Sequence, residues 1–386
     1  MNLSYPTWVE IDLDILKSNI NIIKNKAKNS EVIAVVKANA YGHGAVQVAK
    51  AFEEEGIKRF AVANIREAIE LRKNNINSNV MILGITDEIN IKEILQYDFE
   101  TTVATYDFCF KLSKLAIENN KIAKIHIGLD TGMGRIGFRP NKDSLEEIQK
   151  IINLDNLEII SCFSHFSDMD SSEYSKEQLK KYAWFEEEIL KLKGAKAFKK
   201  NIANSGAILL WDDCHYDYVR AGIIEYGYSP SDNIKSEELL VKPALTWKCK
   251  IVHIKDVEKD EYIGYGRNYK TNKKTKIATI PVGYADGYCR LLSNKGKVII
   301  NGQLAYIIGN VCMDQCMVDI THIKDVKLND EVILLGSEKD IKWNADDISG
   351  LTSTINYEVL CLIGRRVPRV YIENQKVIHV EDYMNL

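Results

Sequence analysis

The sequence has no excess of either charge. It contains 51 Lys and Arg residues against 54 Asp and Glu residues, which gives a net charge of −3 and a pI of about 6.2. It also has no basic run. A chain of this kind does not attract a phosphate backbone or an anionic lipid surface. We therefore expect no nucleic-acid partner and no membrane partner.

The sequence also lacks a secretory signal and a membrane span. The first fourteen residues do not show a basic and then apolar pattern, and acidic residues follow almost at once. The longest uncharged run, Val298–Met313, is interrupted by Asn301, Gly302, Gln303, Gly309 and Asn310. It therefore favours paired strands over a membrane helix. These absences predict a cytoplasmic chain.

Cysteine pairs with metal-ligand spacing are missing as well. The eight cysteines are scattered, with no CxxC and no histidine at metal spacing. Cys312 and Cys316 form a CxxxC, but the intervening MDQ is predicted to be strand, which would place both thiols on one face without making them ligands. We expect no metal site.

What the sequence does contain is a regular alternation of strand-like and helical segments. A chain of 386 residues favours two domains. From about residue 10 to 240, amphipathic segments separate eight β-rich runs: 32–36, 59–63, 80–84, 101–104, 124–129, 158–165, 200–205 and 217–222. This count favours a closed (β/α)8 barrel of the TIM type over residues 1–240, with an open doubly wound sheet as the alternative.

The pattern changes after residue 240, where strand-like runs dominate and helical periodicity is sparse. The pair Asn301-Gly302 between two apolar runs predicts a β-hairpin. We therefore predict a mainly antiparallel β domain over residues 241–386. The first dozen residues are expected to pack on the barrel or on this β domain.

A lysine follows the first predicted barrel strand. Residues 32–36 are apolar, and Lys37 comes next, followed by Tyr41-Gly42-His43-Gly44. Active sites of such barrels lie at the carboxyl ends of the strands. A lysine that leaves an apolar strand there can be partly desolvated, which lowers its pKa and makes it a usable Schiff-base nucleophile. Taken alone, Lys37 is better explained as a strand-end lysine that reaches solvent, and the glycines and Tyr41 that follow favour the catalytic role.

The segment VVKANAYGHG resembles the lysine motif of alanine racemases, which use pyridoxal 5'-phosphate (PLP). Further segments resemble the same family in the same order: IGLDTGMGRIGF, FSHF, NSGA, VRAGIIEYG, GYGRNY, VGYADGY, VCMDQCMVD and TINYEV. The resemblance covers residues 6 to about 371. It implies a barrel plus β domain, a small amino-acid substrate and a homodimer with shared active sites. In this family, the usual role is to supply D-alanine for wall synthesis.

The resemblance also implies a two-base mechanism, with one base on each face of the substrate Cα. Lys37 would carry PLP and act as one base, and Tyr265, donated by the partner's β domain, would be the other. His165 would connect Tyr265 to Arg220. Arg220 would face the pyridine nitrogen and keep it unprotonated, because arginine does not give up its proton.

The remaining positions that match the family would bind cofactor and substrate. The phosphate group is assigned to Tyr41, Asn204, Ser205, Gly222, Ile223 and Tyr357, several of them through backbone N–H groups. Arg135 would hold the phenolic oxygen of the cofactor and the substrate carboxylate. Met313 would offer its backbone N–H to that carboxylate, and Tyr284 and Asp314 would narrow the entrance.

Three positions depart from the family pattern. Gly128 stands where many relatives have a lysine that supports the arginine at position 135. Ala221 replaces a common proline. Glu225 replaces an apolar residue, and its carboxylate is expected either to face solvent or to be paired.

Other functions are compatible with parts of the pattern. A serine or broad-specificity racemase is the nearest, although Tyr357 fills space that serine-preferring relatives tend to leave. A PLP-binding carrier protein would share the barrel and the lysine, but it would have no β domain. A PLP-dependent decarboxylase would have both domains and use a cysteine, for which Cys312 is the candidate.

Overall fold

The computed structural model describes residues 5–231, 233–234 and 240–384. The chain divides into two compact units. One comprises residues 16–40 and 45–242, and the other comprises residues 1–15, 41–44 and 243–386. Residues 1–4 of the N-terminal segment and residues 235–239 beside the expected domain boundary lie outside the described residues. No helix within the described ranges is long and apolar enough to cross a membrane.

After strand β1 (Thr7–Asp12), eight parallel strands form a closed barrel. Each pairs with the next along the chain, and the last pairs with the first. The predicted TIM-type barrel is therefore confirmed. Its strands are β2 Glu31–Val35, β3 Arg59–Val62, β4 Asn79–Ile85, β5 Glu100–Val103, β6 Ala123–Gly128, β7 Leu157–Phe163, β8 Lys199–Asn201 and β9 Tyr218–Ala221.

Helices connect the barrel strands, as the amphipathic segments predict. Asn64 shows how the sequence sets one of their boundaries, because its side chain accepts hydrogen bonds from the N–H groups of Arg66 and Glu67 and so caps a helix. The helices of the barrel region are α1 Leu13–Ala27, α2 Ala45–Glu54, α3 Ile65–Lys73, α4 Ile91–Tyr97, α5 Tyr106–Glu118, α6 Lys142–Ile152, α7 Ser172–Leu190 and α8 Ser205–Leu210.

The predicted strand over 200–205 is too long. β8 ends at Asn201, and residue 205 begins α8 instead. The cause is local capping, because the side chain of Asn204 accepts a hydrogen bond from the N–H of Ala207 at 3.1 Å and so starts a helix there. This correction places the first N–H groups of a helix directly after a barrel strand.

The second unit is built on one sheet of eleven strands, with a separate two-stranded hairpin. β1 pairs antiparallel with β10 and parallel with β20. The other pairings of the sheet are antiparallel, so the predicted fold of this part is confirmed. The strands are β10 Leu245–Lys250, β11 His253–Val257, β12 Tyr262–Ile263, β13 Tyr269–Lys270, β14 Thr275–Ile280, β15 Lys297–Ile300, β16 Gln303–Ile308, β17 Cys316–Asp319, β18 Glu331–Glu338, β19 Ile341–Trp343, β20 Arg369–Glu373 and β21 Lys376–Glu381.

Two turns of this unit lie in segments whose structure was predicted from the sequence. Asn301 and Gly302 both have positive φ and join β15 to β16, so the predicted hairpin is confirmed. The prediction that MDQ is strand is wrong. The N–H of Cys312 donates to the carbonyl of Gln315 at 3.0 Å, which closes a turn before β17. Two further helices, α9 Ala345–Thr352 and α10 Asn356–Cys361, complete the unit.

A buried network of polar side chains fills part of the barrel. Arg59 and Glu100 are the first residues of their strands, and Arg59 donates to both carboxylate oxygens of Glu100 at 2.9 and 3.1 Å. His126 Nε2 lies 2.8 Å from the same carboxylate, and its Nδ1 lies 2.7 Å from Ser161 Oγ. Although burial opposes ionisation, the bonds from His126 and Arg59 lower the pKa of Glu100 to about 2. Glu100 is therefore ionised at neutral pH.

Replacing this carboxylate should destabilise the barrel. We expect Glu100→Gln to lower the free energy of unfolding by about 3 kcal/mol at neutral pH, because buried Arg59 loses its buried charged partner and keeps only the partly exposed Glu31. The folded-state pKa lies below the unfolded one, so the contribution of Glu100 is present above about pH 4.3 and is lost as the pH falls toward 2. Urea unfolding at several pH values measures both effects.

Glu158→Gln on the exposed side of β7 is the matched control, with an expected change of less than about 0.5 kcal/mol. Equal stabilities for the two variants, or a stability difference for Glu100→Gln that does not shrink in acid, would contradict the assigned role of Glu100.

Candidate active site

Lys37 lies at the end of the first barrel strand, as predicted. β2 ends at Val35, Val36 is fully buried, and Lys37 follows as a half-buried residue. The lysine is close enough to His165 for its charge to lower the pKa of that imidazole. Lys37 and His165 therefore lie at the same end of the barrel, where the carboxyl ends of the strands meet.

The backbone after Lys37 forms a left-handed turn. Ala38, Asn39 and Ala40 have φ between 52° and 55° and ψ between 46° and 51°, and Tyr41 has a φ of 50°. Each non-glycine residue in this conformation costs roughly 1–2 kcal/mol. Such strain persists only where surrounding contacts impose it, and it is concentrated at functional sites.

Side chains of the barrel unit hold the first part of this turn. One carboxylate oxygen of Glu67 accepts from the N–H of Ala38 at 2.9 Å, and the other accepts from the N–H of Ala63 at 2.7 Å. The side-chain oxygen of Asn39 accepts from the N–H of Ala45 at 2.9 Å. These bonds satisfy the backbone groups that no regular helix or strand could satisfy here.

The two glycines that follow are required by close contacts in the second unit. The carbonyl of Gly42 accepts from Nε of buried Arg369 at 3.3 Å. At Gly44, φ is 93°, and a Cβ atom would lie 1.7 Å from the hydroxyl oxygen of Tyr371. Only glycine fits at position 44 because both the conformation and the space exclude a side chain.

Arg220 is buried inside the barrel and is not part of a surface ion pair. It is 4% exposed, and one Nη atom donates to Oδ1 of Asn201. The other Nη donates to the carbonyl of Ser164 at 2.7 Å and to Nδ1 of His165 at 3.1 Å. Burial lowers the pKa of Arg220 to about 10, and the charge of Arg135 adds to this effect. Arg220 remains a cation at neutral pH.

His165 is held in its neutral form. Burial lowers its pKa well below the ordinary value, and the positive charges of Arg220, Arg135 and Lys37 lower it further. Because arginine can only donate, Nδ1 of His165 must accept the bond from Arg220, which leaves the ring proton on Nε2. The imidazole therefore presents an N–H donor on its other side.

Two helix starts lie next to each other after β8 and β9. Asn204 caps α8, and the first N–H groups of a helix have no partner within it. The hydroxyl oxygen of Ser205 accepts from the N–H of Gly222 at 2.9 Å, which joins α8 to the short 3-10 helix Ile223–Tyr226. The structure thus brings together the four residues of this unit that were predicted to bind phosphate.

The loop that carries Arg135 is fixed through Asp130. One carboxylate oxygen of Asp130 accepts from the N–H groups of Gly132 and Gly134 at 3.1 and 2.9 Å, and the other pairs with Arg139 at 3.1 Å. Within the described part of the chain, the exposed side chain of Arg135 has no hydrogen bond or ion pair. Its guanidinium is therefore available to an anion.

Position 128 has room for a side chain but no supporting group for Arg135. A Cβ at Gly128 would meet its nearest neighbour, the Cα of Gly137, at 3.5 Å, which is an ordinary contact. The surrounding loop is closed by backbone bonds, with the N–H of Phe138 donating to the carbonyl of Gly128 at 2.8 Å. These bonds and Asp130 order the loop without the lysine that is common in the family.

Tyr265 lies at the tip of the hairpin β12–β13. Its side chain is 75% exposed, and its hydroxyl has no hydrogen-bond partner among the residues that the structure describes. The side-chain N–H of Asn310 donates to the carbonyl of Tyr265 at 2.7 Å and fixes the backbone of the tip. An exposed phenol on an ordered turn is placed to contact another molecule.

Met313, Tyr284 and Asp314 lie together in the second unit. The N–H of Tyr284 donates to the carbonyl of Cys312 and the N–H of Ala285 donates to that of Met313, both at 3.0 Å. The side chains of Met313 and Tyr284 are 53% and 43% exposed. The carboxylate of Asp314 pairs with Arg366 at 2.8 Å. Met313, predicted to bind substrate, and the two predicted entrance residues therefore form one exposed group.

The last two predicted phosphate ligands are also neighbours. The rings of Tyr41 and Tyr357 lie 5.9 Å apart, centre to centre, and are tilted by 51°. Burial raises the pKa of Tyr357, so its hydroxyl is neutral and can donate a hydrogen bond.

The sequence analysis missed two residues of this arrangement. Asn201 accepts from Arg220, and Glu67 holds the turn after Lys37. A polar residue at the end of an otherwise buried strand could have indicated Asn201. No sequence pattern reveals Glu67, because its carboxylate accepts from Ala63 just before its own helix and from Ala38 in a different loop.

The geometry defines a barrel enzyme with an added β domain, whose strand ends carry a lysine and two arginines suited to binding an anionic cofactor and an anionic substrate. Residues 11–230 match the model of the alanine racemase N-terminal domain, and residues 244–371 match that of the C-terminal domain. The chain belongs to the alanine racemase family.

Named relatives agree over almost the full length. The chain is 52% identical to an alanine racemase of Clostridium kluyveri over 381 residues, which is 98% of this chain and 97% of the relative. A solved alanine racemase from Clostridium difficile has a TM-score of 0.95 and 40% identity, and covers 99% of this chain and 100% of its own. One from Bacillus anthracis, solved with bound L-Ala-P, has a TM-score of 0.93 and 36% identity, with both chains fully covered.

The contact at position 44 can be tested through stability. We expect Gly44→Ala to lower the free energy of unfolding by about 3 kcal/mol, because the new methyl group overlaps the hydroxyl of Tyr371 and the φ value is unfavourable. Urea unfolding of the purified variant measures the change.

Gly266→Ala in the same unit is the control for the backbone conformation alone. Its φ is 72° and its nearest neighbour would be 3.4 Å away, so a loss of about 1 kcal/mol is expected. Adding Tyr371→Phe to Gly44→Ala should recover part of the loss. The close-contact argument fails if the two glycine variants are equally stable.

Proposed function

We propose that this chain interconverts L-alanine and D-alanine with PLP held covalently by Lys37, and that each active site is completed by a partner subunit. The observation that supports this most directly is the cluster at the barrel mouth. Lys37, Arg135 and Arg220 all act electrostatically on one neutral histidine. Alanine racemases use PLP, and the family match covers both units of the chain.

The described residues fit this cofactor. The two Nη groups of Arg220 bond to Asn201, Ser164, Ile202 and His165. No described residue accepts from its Nε–H, so this group could donate to a ring nitrogen. The start of α8 at Ser205 and the 3-10 helix starting at Ile223 offer N–H groups to a phosphate. When bound, PLP would supply the electron sink that stabilises a carbanion at Cα.

Arg220 limits the chemistry at this site. Its pKa of about 10 keeps it a hydrogen-bond donor near neutral pH. If the pyridine nitrogen of the cofactor faced Arg220, this residue would act as a fixed hydrogen-bond donor and would not supply the ring with a proton. PLP held in this way would be a weaker electron sink than PLP paired with a carboxylate.

The two bases are Lys37 and Tyr265 of the partner subunit. A tyrosine has an ordinary pKa of about 10 and must be assisted to act as a base near neutral pH. The Nε2–H of neutral His165 is a suitable donor to a phenolate, and the cationic Arg220 behind it strengthens that stabilisation. His165 would therefore favour the ionised form of the partner tyrosine without accepting the proton itself.

Exposure supports a shared site. Tyr265 and Met313 are 75% and 53% exposed in the single chain, and both side chains are large and mostly apolar. A twofold dimer would cover such a patch and donate each tyrosine to the opposite barrel. The exposed guanidinium of Arg135 would then receive the substrate carboxylate together with the backbone N–H of Met313 of the partner subunit.

Two substitutions separate cofactor binding from proton transfer. We expect Lys37→Ala to abolish both the visible absorbance of bound PLP and racemisation. Tyr265→Phe should keep the absorbance and lose about 10²- to 10⁴-fold in racemisation, since only one base is removed. In D₂O, this variant should still exchange the Cα proton of one alanine enantiomer without inverting it. Chiral chromatography and proton NMR measure the two reactions.

Tyr262→Phe, on the same hairpin and also exposed, is the matched control and should retain activity. Full racemase activity in Tyr265→Phe would refute the two-base assignment. A purified chain that takes up no PLP and leaves L-alanine unchanged would refute the proposed function altogether.

Mixed dimers test whether the sites are shared. If random pairing joins Lys37→Ala chains with Tyr265→Phe chains, half of the dimers are mixed, and each mixed dimer contains one site with both bases. About a quarter of the activity of the unmodified enzyme should then return. If each site used residues of a single chain, mixing two inactive variants would restore no activity.

A further inference from the structure

Glu225 is buried in the barrel wall, where the sequence analysis expected a solvent-facing or paired carboxylate. It is fully inaccessible, and its Oε1 accepts from the N–H of Val35 at 3.3 Å. Its Oε2 has no hydrogen-bond partner among the described residues. Burial raises the pKa of Glu225 well above the ordinary value, which favours the neutral form of the acid.

The hydrogen bond from Val35 occupies a particular place in the barrel. β9 pairs with β2 only as far as Ala221 opposite Ala34, so the next residue of β2 has no strand partner on that side. On the other side, the N–H of Val36 donates to the carbonyl of Ala61 in β3. Val35 is thus the last residue of β2 that needs a partner on the β9 side, two residues before Lys37.

Two consecutive side chains supply that partner. Oε1 of Glu225 accepts from the N–H of Val35, and the hydroxyl of Tyr226 donates to the carbonyl of Val35 at 2.9 Å. Together they replace the backbone of a strand that has already ended. An apolar residue at position 225 could not do this, and the buried N–H of Val35 would lose its partner.

The backbone of Glu225 is itself fixed in place. The side-chain N–H of Asn19 on α1 donates to the carbonyl of Glu225 at 3.0 Å. At the other end of the same short segment, the N–H of Gly222 donates to Ser205. One rigid segment, residues 222–226, therefore contacts the proposed phosphate donors at its start and the strand of the lysine at its end.

We propose that Glu225 is a positioning residue that continues the β9 pairing through its carboxyl group and thereby fixes the end of β2 relative to the phosphate-binding turns. This inference rests on the proposed function for its catalytic consequence, but not for its structural one. Glu225 does not touch the reacting atoms, and it acts through Val35 on the position of Lys37.

Glu225→Leu and Glu225→Gln form a matched pair of variants. Leucine removes the acceptor, whereas the amide oxygen of glutamine can still accept from Val35 without adding charge. We expect Glu225→Leu to lower kcat by about tenfold, the size that loss of one buried hydrogen bond would give. KM for alanine should stay within about twofold, and Glu225→Gln should resemble the unmodified enzyme in both constants.

Hydrogen–deuterium exchange followed by mass spectrometry gives a readout that is independent of catalysis. In the full chain with PLP, the peptide covering residues 33–38 should exchange about tenfold faster in Glu225→Leu, and at the unmodified rate in Glu225→Gln.

Each outcome decides the question. Unchanged exchange and unchanged kcat in Glu225→Leu would overturn the proposal. A lowered melting temperature with normal exchange in this peptide and normal kcat would also overturn it, because Glu225 would then only stabilise the fold. Equal defects in Glu225→Gln and Glu225→Leu would also overturn it, because accepting the hydrogen bond would then not be the function of the side chain. Faster exchange in a protein that neither binds PLP nor racemises alanine would support the role of Glu225 and refute the proposed function.

Discussion

The conformation of four residues after the first barrel strand constrains the rest of the site. Residues 38–41 are all left-handed, and none of them is glycine. At roughly 1–2 kcal/mol each, their strain is comparable to the whole net stability of a small domain. Such a turn can persist only if its hydrogen bonds and contacts offset that cost. Four contacts of residues 38–44 do so: the carboxylate of Glu67, the side chain of Asn39, the buried guanidinium of Arg369 and the close packing of Gly44 on Tyr371.

Three positively charged side chains near the carboxyl ends of the barrel strands would be stabilised by an anion. Arg220 is buried without a carboxylate partner among the described residues, and carbonyl and amide oxygens supply its bonds instead. Arg135 is exposed and makes no ion pair within the described chain, while Lys37 adds a third cation nearby. Gathering like charges is unfavourable unless something negative joins them. A phosphate and an amino-acid carboxylate would complete the balance.

The sequence predicted the features that follow from periodicity and from strand ends. Eight apolar runs gave the barrel, and the rule that strand ends carry the site led from Val36 to Lys37. Features that depend on contacts across the fold were not predictable. Three examples depend on neighbours in the folded structure. They are the hydrogen bond between Glu67 and Ala38, the hydrogen bond between Arg220 and Asn201, and the burial of Glu225. The residues around Cys312 alternate between apolar and polar side chains, as in a strand. Their backbone hydrogen bond is local, however, and closes a turn.

Glu225 shows why a site of this kind tolerates a costly residue. A buried carboxyl group with an unpartnered oxygen is unfavourable in itself, and an apolar residue of similar size would avoid that cost. The pairing of β9 with β2 ends at Ala34, so the backbone of Val35 has no strand partner on that side, two residues before Lys37. A side chain that satisfies such a group fixes the strand end more firmly than packing alone, because hydrogen bonds are directional. Burying the carboxyl group of Glu225 is unfavourable, but it fixes the position of Lys37.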